Sequence, residues 1–340
     1  MLFVLSRSAG AALLADPASP PRAWCGLRVL SLAPGASRVV RTGDCEVFVL
    51  PLAGSVRLAV ADAAGRPEQS FTLRGRRSVF SAVSDFGYAG RDSVLTISSE
   101  AGAELAVPAA RCSSRRPAAY GAAEDVPVEV RGAGPATRQV TNFGVPGVWE
   151  HAERLVCCEL IAPAGNWSSY PAHKHDLSQG CPVGNEEIYY YRSAGPDQRT
   201  PSRQGFGLHR TYTGPEHAVA GLGALDELIE VRDGDAVLVP YGYHGPSVAA
   251  PGYPMYYLNV LAGPGQRSMA FGDDAAHGWL RAAWQQQPAD PRCPVTSAAG
   301  RLDELDRPDE PDRPDELDRP DELYRPYELD RPDEANWSRL

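Results

Sequence analysis

His173 and His175 flank Lys174 in the stretch YPAHKHDLSQGCPVGNEEIYYYR, and Lys174 is the single lysine among 33 basic residues. Residues two apart on a strand share a face, so both imidazoles can reach one ion while Lys174 points the other way. Glu187 opens the next strand-like run, with Tyr189 and Tyr191 on its own face and Tyr190 and Arg192 on the opposite one. Further on, VRDGDAVLVPYGYHGPS reads as a turn, a buried strand, a Pro-x-Gly corner and then His244. Three imidazoles and one carboxylate suit one divalent ion (Zn, Mn, Fe, Ni or Co) and leave positions open for substrate. HxH alone is a weak signal; the ordered set HxH, Glu and G-x5-P-x-G-x-H within strand-rich sequence is stronger. Cys181, in the loop between His175 and Glu187, is an alternative soft ligand. Glu186 and Glu187 are adjacent, and Glu187 is chosen for its place before the IYYYR strand.

The surrounding sequence is strand after strand. Val56, Leu58 and Val60 alternate with Ser55, Arg57 and Ala59, the period of a half-buried strand. CEVFVLPL, SFTLRG, SVFSAV and SVLTISS continue that pattern, separated by Gly, Pro and Asp. Many short strands at this spacing predict an all-β sandwich or barrel. A second strand-rich block runs from about Asn142 to Val260, after a Pro- and Arg-rich linker at 108–137. EVFVLPLAG from Glu46 and EIYYYRSAG from Glu187 form a faint repeat, pointing to two copies of one barrel. No histidine precedes His151, so only the second copy can hold a histidine metal site. The expected organisation is a first barrel with linker at 1–137 and a metal-binding barrel at 138–295. DDAAHGWLRAAW predicts a short helix near the end of the second barrel. A disordered tail is expected at 296–340, because its Asp-Glu-Leu-Asp-Arg-Pro repeats place a proline every six residues and offer little to bury. Truncation near Val295 is expected to spare activity.

Residues 301–340 carry a net charge of −8 out of −10 for the chain, leaving a nearly neutral body. That body has no electrostatic footprint for nucleic acid. No apolar run is long enough to span a membrane. Seven cysteines without CxxC spacing, and a start lacking a basic, apolar leader, predict a reduced cytoplasmic protein. Exposed sheet edges admit association into a homo-oligomer.

With these motifs in place, the HxH…E…H order and GDAVLVPYGYH resemble the cupin superfamily. GNWSSYPAHKHD, EEIYYYR, QGFGLHRTYT, VRDGDAVLVPYGYH and APGYPMYYLNVLAGP together resemble, more narrowly, the 5-deoxy-glucuronate isomerase family of myo-inositol breakdown. The similarity runs from about Ala23 to Trp284. It implies a double cupin (bicupin) with the metal held by His173, His175, Glu187 and His244. Eleven residues between HxH and Glu187 exceed the three or four of general cupins, a departure that the narrower family shares.

The resemblance implies conversion of 5-deoxy-D-glucuronate to 2-deoxy-5-keto-D-gluconate, an aldose–ketose isomerisation through a metal-stabilised enediolate. Glu186, Tyr243 or a metal-bound hydroxide are the alternatives for the base. A sugar acid needs a cation for its carboxylate, and arginine suits planar bidentate recognition. Strand alternation groups Leu208, Arg210 and Tyr212, making Arg210 the first candidate with Tyr212 beside it; Arg192, Lys174 and Tyr257 follow. A lone lysine among arginines also points to a compact ammonium that braces the His-bearing strand by donating to a carbonyl or an acid. Competing readings are the related 4-deoxy-5-keto-hexuronate isomerase, an oxygen-consuming cupin dioxygenase, and a sugar-binding cupin without turnover.

Overall fold

A computed structural model describes residues 24–305 and, before them, the strands Phe3–Leu5 and Leu13–Ala15. The acidic repeats from 306 onward, and the expectation of disorder there, lie outside the described residues.

The first half is a nine-stranded antiparallel sheet folded on itself. Its longest strand, Cys45–Asp62, explains how one segment serves two environments. Cys45 to Leu52 are buried on both faces, whereas Ser55 to Val60 alternate between solvent and core. Val47 and Val49 point into the first barrel, where they meet Val56, Leu58, Leu95 and Ile97. Phe48, Leu50 and Leu52 point the other way, into a core shared with the second half. The strand bends at Gly54, which has φ of +80° and lies so close to Gly102 that a Cβ would fall 2.4 Å from its carbonyl oxygen. A side chain there would clash with backbone as well as adopt a disfavoured conformation.

The second half packs a seven-stranded sheet against a six-stranded one. Glu186–Ser193 lies centrally in the larger sheet, between Ala236–Val239 and Met255–Ala262. The smaller sheet carries Phe206–Tyr212, Tyr243–Ala249 and the two-residue strand His173–Lys174. Between the two halves, Phe48, Phe86, Phe143 and Trp149 make edge-to-face contacts at 4.7–6.2 Å. Arg76 and Glu159 form a fully buried ion pair across this boundary, with Tyr256 donating to the same carboxylate at 2.7 Å.

Two glutamates fasten the halves reciprocally. Glu46 of the first barrel accepts from the amides of Glu153, Arg154 and Leu155 at 2.6–2.8 Å. Glu186 of the second accepts from the amides of Trp24 and Cys25 at 3.0 and 3.3 Å. By contact and facing, Glu46 therefore plays the part of Glu186, not Glu187, and the repeat read from the sequence is one residue out of phase.

Several strand expectations need correction. SVFSAV is not a strand: Ser78 to Ser81 turn, with the Ser81 amide donating to the Ser78 carbonyl at 3.0 Å. The 108–137 linker contains ordered strands, and Val128–Arg131 pairs with Arg138–Gly144 in the second sheet. Phe3–Leu5 pairs with Ala236–Val239 in that sheet too, so strand pairing crosses the expected boundary at 137/138. Thr296 is buried and hydrogen-bonded to Gln139, so ordered structure continues beyond Val295. The short helix is present at Leu280–Ala283.

Candidate metal centre and its cavity

His173 stands directly opposite His244 in the antiparallel ladder, and His175 follows one alternation later. Glu187 approaches from the facing sheet, at the start of Glu186–Ser193. One ligand nitrogen from each of the three imidazoles lies within 4.8 Å of the others. Glu187 Oε2 is 2.8 Å from His244 Nε2 and 3.7 Å from His175 Nε2.

The ring orientations follow from backbone contacts. Nδ1 of His173, His175 and His244 faces the carbonyls of Pro171, Ala270 and Gly242 at 3.4, 2.8 and 3.1 Å. A proton held at Nδ1 leaves the Nε2 lone pair for a ligand. Burial, reinforced by the neighbouring His244 and His175, keeps His173 well below the ordinary imidazole pKa. Burial likewise lowers His175, against the pull of Glu187. Both rings are therefore neutral at pH 7, the form that ligates metal. Glu187 Oε1 accepts from Asn259 Nδ2, while Oε2 and His244 Nε2 are buried without hydrogen-bond partners among the described residues. Two orphaned buried acceptors, a lone-pair nitrogen and a carboxylate oxygen, facing each other fit a cation. The donor set, three nitrogens and one oxygen, suits the transition-metal ions above.

Gly245 next to His244 has φ of +102°, and a Cβ there would lie 1.8 Å from the Ser169 carbonyl oxygen. Only glycine lets the His244 strand run this close to the segment that leads into His173. His173, His175 and Glu187 line a cavity of about 460 Å³ whose other walls include Val140, Leu160, Leu261, Phe271 and three arginines.

The KduI/IolB family profile matches residues 6–280 of this chain. The chain belongs to the KduI/IolB family. The 5-deoxy-glucuronate isomerase of Geobacillus thermodenitrificans is 34% identical over 78% of this chain and 89% of its own length. That of Bacillus subtilis is 33% identical over 74% and 86%. An IolB-like protein of Salmonella typhimurium superposes with a TM-score of 0.70 and 30% identity, covering 82% of this chain and 98% of its own. Oxalate decarboxylase of Lactobacillus farciminis, at 12% identity and a TM-score of 0.55 over 78% of this chain and 88% of its own, shares the fold alone. The expectation of a mainly β, double-cupin isomerase is borne out.

In this KduI/IolB-family protein the four expected ligands come together, and the other singled-out residues do not join them. Glu186 faces the first barrel, accepts from the Trp24 and Cys25 amides and does not line the cavity. Tyr243 lies on the opposite face of its strand from His244 and packs on Tyr212 and His217. Lys174 is buried there as well, its ammonium donating to Ser178 Oγ, the Gln179 carbonyl and Glu216 Oε1 at 2.7–2.9 Å. It lies on the Tyr243 side of the strand and does not line the cavity that holds His173 and His175. Cys181 donates to the carbonyls of Lys174 and Val183.

Arg210 lies on the outer face of its strand. The inward residues of Phe206–Tyr212 are Gly207, His209 and Thr211. Arg210 pairs outside with Asp226 at 2.9 Å, and the Tyr212 hydroxyl donates to Asp274 at 2.5 Å. Alternation gave the grouping correctly but left open which set faces inward. Arg192 is buried between Glu104 and Asp233, each at 2.7 Å. Tyr257 lies inside the barrel with its hydroxyl held by Ser168 and Ser169 at 2.6 and 2.9 Å.

Sequence reasoning placed Tyr189 on the face of Glu187 but missed Asn259 and the arginines 131, 138 and 281 on the cavity wall. Asn259 had a signal, since it lies two residues beyond Tyr257 on the same strand face. Arg138 had none, lying next to a segment read as linker.

Proposed function

We propose that this isomerase converts 5-deoxy-D-glucuronate to 2-deoxy-5-keto-D-gluconate with one divalent ion at His173, His175, His244 and Glu187. The observation that carries the reading is the convergence of three imidazole nitrogens and the unpartnered Glu187 Oε2, with His173, His175 and Glu187 lining a cavity that also carries three arginines. The names of relatives above 30% identity supply the substrate.

The ion would supply Lewis-acid stabilisation of negative charge on adjacent carbonyl and hydroxyl oxygens. The protein positions that chemistry. Carbonyls of Pro171, Ala270 and Gly242 fix the imidazole tautomers, and Asn259 holds the Glu187 carboxylate with Oε2 facing His244. Val140, Leu160, Leu261 and Phe271 make much of the remaining wall apolar, which strengthens charge interactions with bound substrate. Isomerisation needs only transfer of hydrogen from C2 to C1, with no net redox change.

Proton NMR in heavy water with 5-deoxy-D-glucuronate, before and after chelation, tests the whole reading. Expected is conversion that stops on chelation and returns with added metal, with solvent deuterium at C1 if a base carries the proton. Metal-loaded protein that leaves this substrate unchanged would refute it.

A further inference from the structure

The cavity wall formed by the start of Arg138–Gly144 and the short C-terminal helix carries a charge that the protein leaves uncompensated. Arg138 is 5% exposed. Its Nη1 donates to the Ala136 carbonyl at 3.2 Å, but Nε is buried without a partner. Its guanidinium lies 5.4 Å from the Trp284 ring centre, and no described carboxylate forms an ion pair with it. The neighbouring arginines are provided for. Arg131, directly across the ladder from Arg138, bonds Glu129 at 2.7 and 3.0 Å. Arg281 bonds both oxygens of Asp273 and lies 5.5 Å from the same Trp284 ring.

Three guanidinium groups thus share one wall with two carboxylates between them. Burial above all, with the charges of Arg131 and Arg281, pushes Arg138 down to about 10. A buried cation facing two others is unfavourable unless an anion joins it. Arg138 and Arg281 line the same cavity as His173 and His175, so the arginine wall adjoins the histidine cluster.

We infer that Arg138, supported by Arg281, forms the subsite that receives the carboxylate of the sugar acid whose other end reacts at the histidine cluster. This rests on the isomerase reading above and adds to it the means of telling an acid from a neutral sugar. A planar guanidinium donates two parallel hydrogen bonds to a carboxylate, a pair of acceptors that an aldose with a hydroxymethyl group cannot offer.

Calorimetric titration of the metal-loaded full chain with D-glucuronate and D-glucose, which differ at C6, tests the subsite. Wild type should bind the acid at least about tenfold more tightly. Arg138→Gln should lose about 10- to 100-fold in affinity for D-glucuronate with no change for glucose, and Arg138→Lys should recover part of the loss. Equal affinities in wild type, or unchanged acid binding in a folded Arg138→Gln, would overturn the inference. Should neither variant fold, a crystal of wild type with D-glucuronate decides: the carboxylate on Arg138 supports the subsite, and its placement elsewhere overturns it. Acid-selective binding lost in Arg138→Gln, with no conversion of 5-deoxy-D-glucuronate by wild type, would sink the isomerase reading and keep the subsite. Conversion with an unaltered KM in Arg138→Gln would do the reverse.

Discussion

Glu187 Oε2 lies 2.8 Å from His244 Nε2 across the gap between two sheets, and neither atom has a hydrogen-bond partner among the described residues. The larger sheet supplies the carboxylate and the smaller one the imidazoles. The site therefore exists only when the barrel is closed.

Replacing either member of this pair should empty the centre. Glu187→Gln and His244→Gln should each fall from about one bound ion per chain to a small fraction, with loss of isomerase turnover. Asn259→Leu, which removes only the support of Glu187, should weaken metal binding by about 10- to 100-fold. Metal content after dialysis against a graded chelator reads both effects, and retention of full occupancy in Glu187→Gln would remove that residue from the ligand set.

Lys174 tests why a protein otherwise built with arginine keeps one lysine. Its three acceptors, Ser178 Oγ, the Gln179 carbonyl and Glu216 Oε1, suit a compact ammonium. Lys174→Met should cost about 2–3 kcal/mol, below the usual figure for a broken buried pair because Glu216 keeps some solvent contact. Lys174→Arg should also lower stability and metal content. Wild-type denaturation midpoint and metal content in Lys174→Arg would show that any cation serves.

The Arg76–Glu159 pair sits between the barrels with both side chains almost fully buried. Arg76→Met should destabilise by about 3–5 kcal/mol by stranding the Glu159 charge. Adding Glu159→Gln should recover a large part of that loss. Denaturant unfolding of the two single variants and the double variant gives the coupling, and additive effects would mean the pair is not coupled.

His209 gives a pH dependence separate from the metal ligands. Fully buried, it bonds Tyr191 and Ser247, and burial followed by the His244 charge pushes it down to about 3. An unfolded histidine titrates near 6.5. The unfolded chain therefore binds the extra proton first as pH falls, and stability drops between about 6.5 and 3. The slope from this residue is about 1.4 kcal/mol per pH unit well below the unfolded value. Unfolding of metal-free wild type and His209→Gln at pH 7 and 5 should show a shallower loss in the variant. Parallel losses would show that His209 does not titrate on unfolding.

Much of the centre was legible in the chain itself. HxH spacing puts two imidazoles on one strand face whatever the surroundings, and a glutamate opening an apolar strand has few places to point. Val56, Leu58 and Val60 likewise announce their core face by alternation alone. Most of the strands and the candidate ligand set follow from such local regularities, and the family resemblance adds the expectation of a cationic partner to a sugar acid. What local pattern cannot supply is phase and pairing. Whether Arg210 or His209 faces inward depends on how Phe206–Tyr212 registers against both neighbours, including the irregularity between His209 and Thr211. Whether Glu186 or Glu187 enters the barrel depends on the first barrel offering the Trp24 and Cys25 amides. Arg138 gains its place from a ladder with Arg131 and from Trp284, nearly 150 residues further along the chain. Local spacing fixes which residues share a face; only the closed tertiary structure decides what that face meets, because burial and charge pairing are set by neighbours distant in sequence.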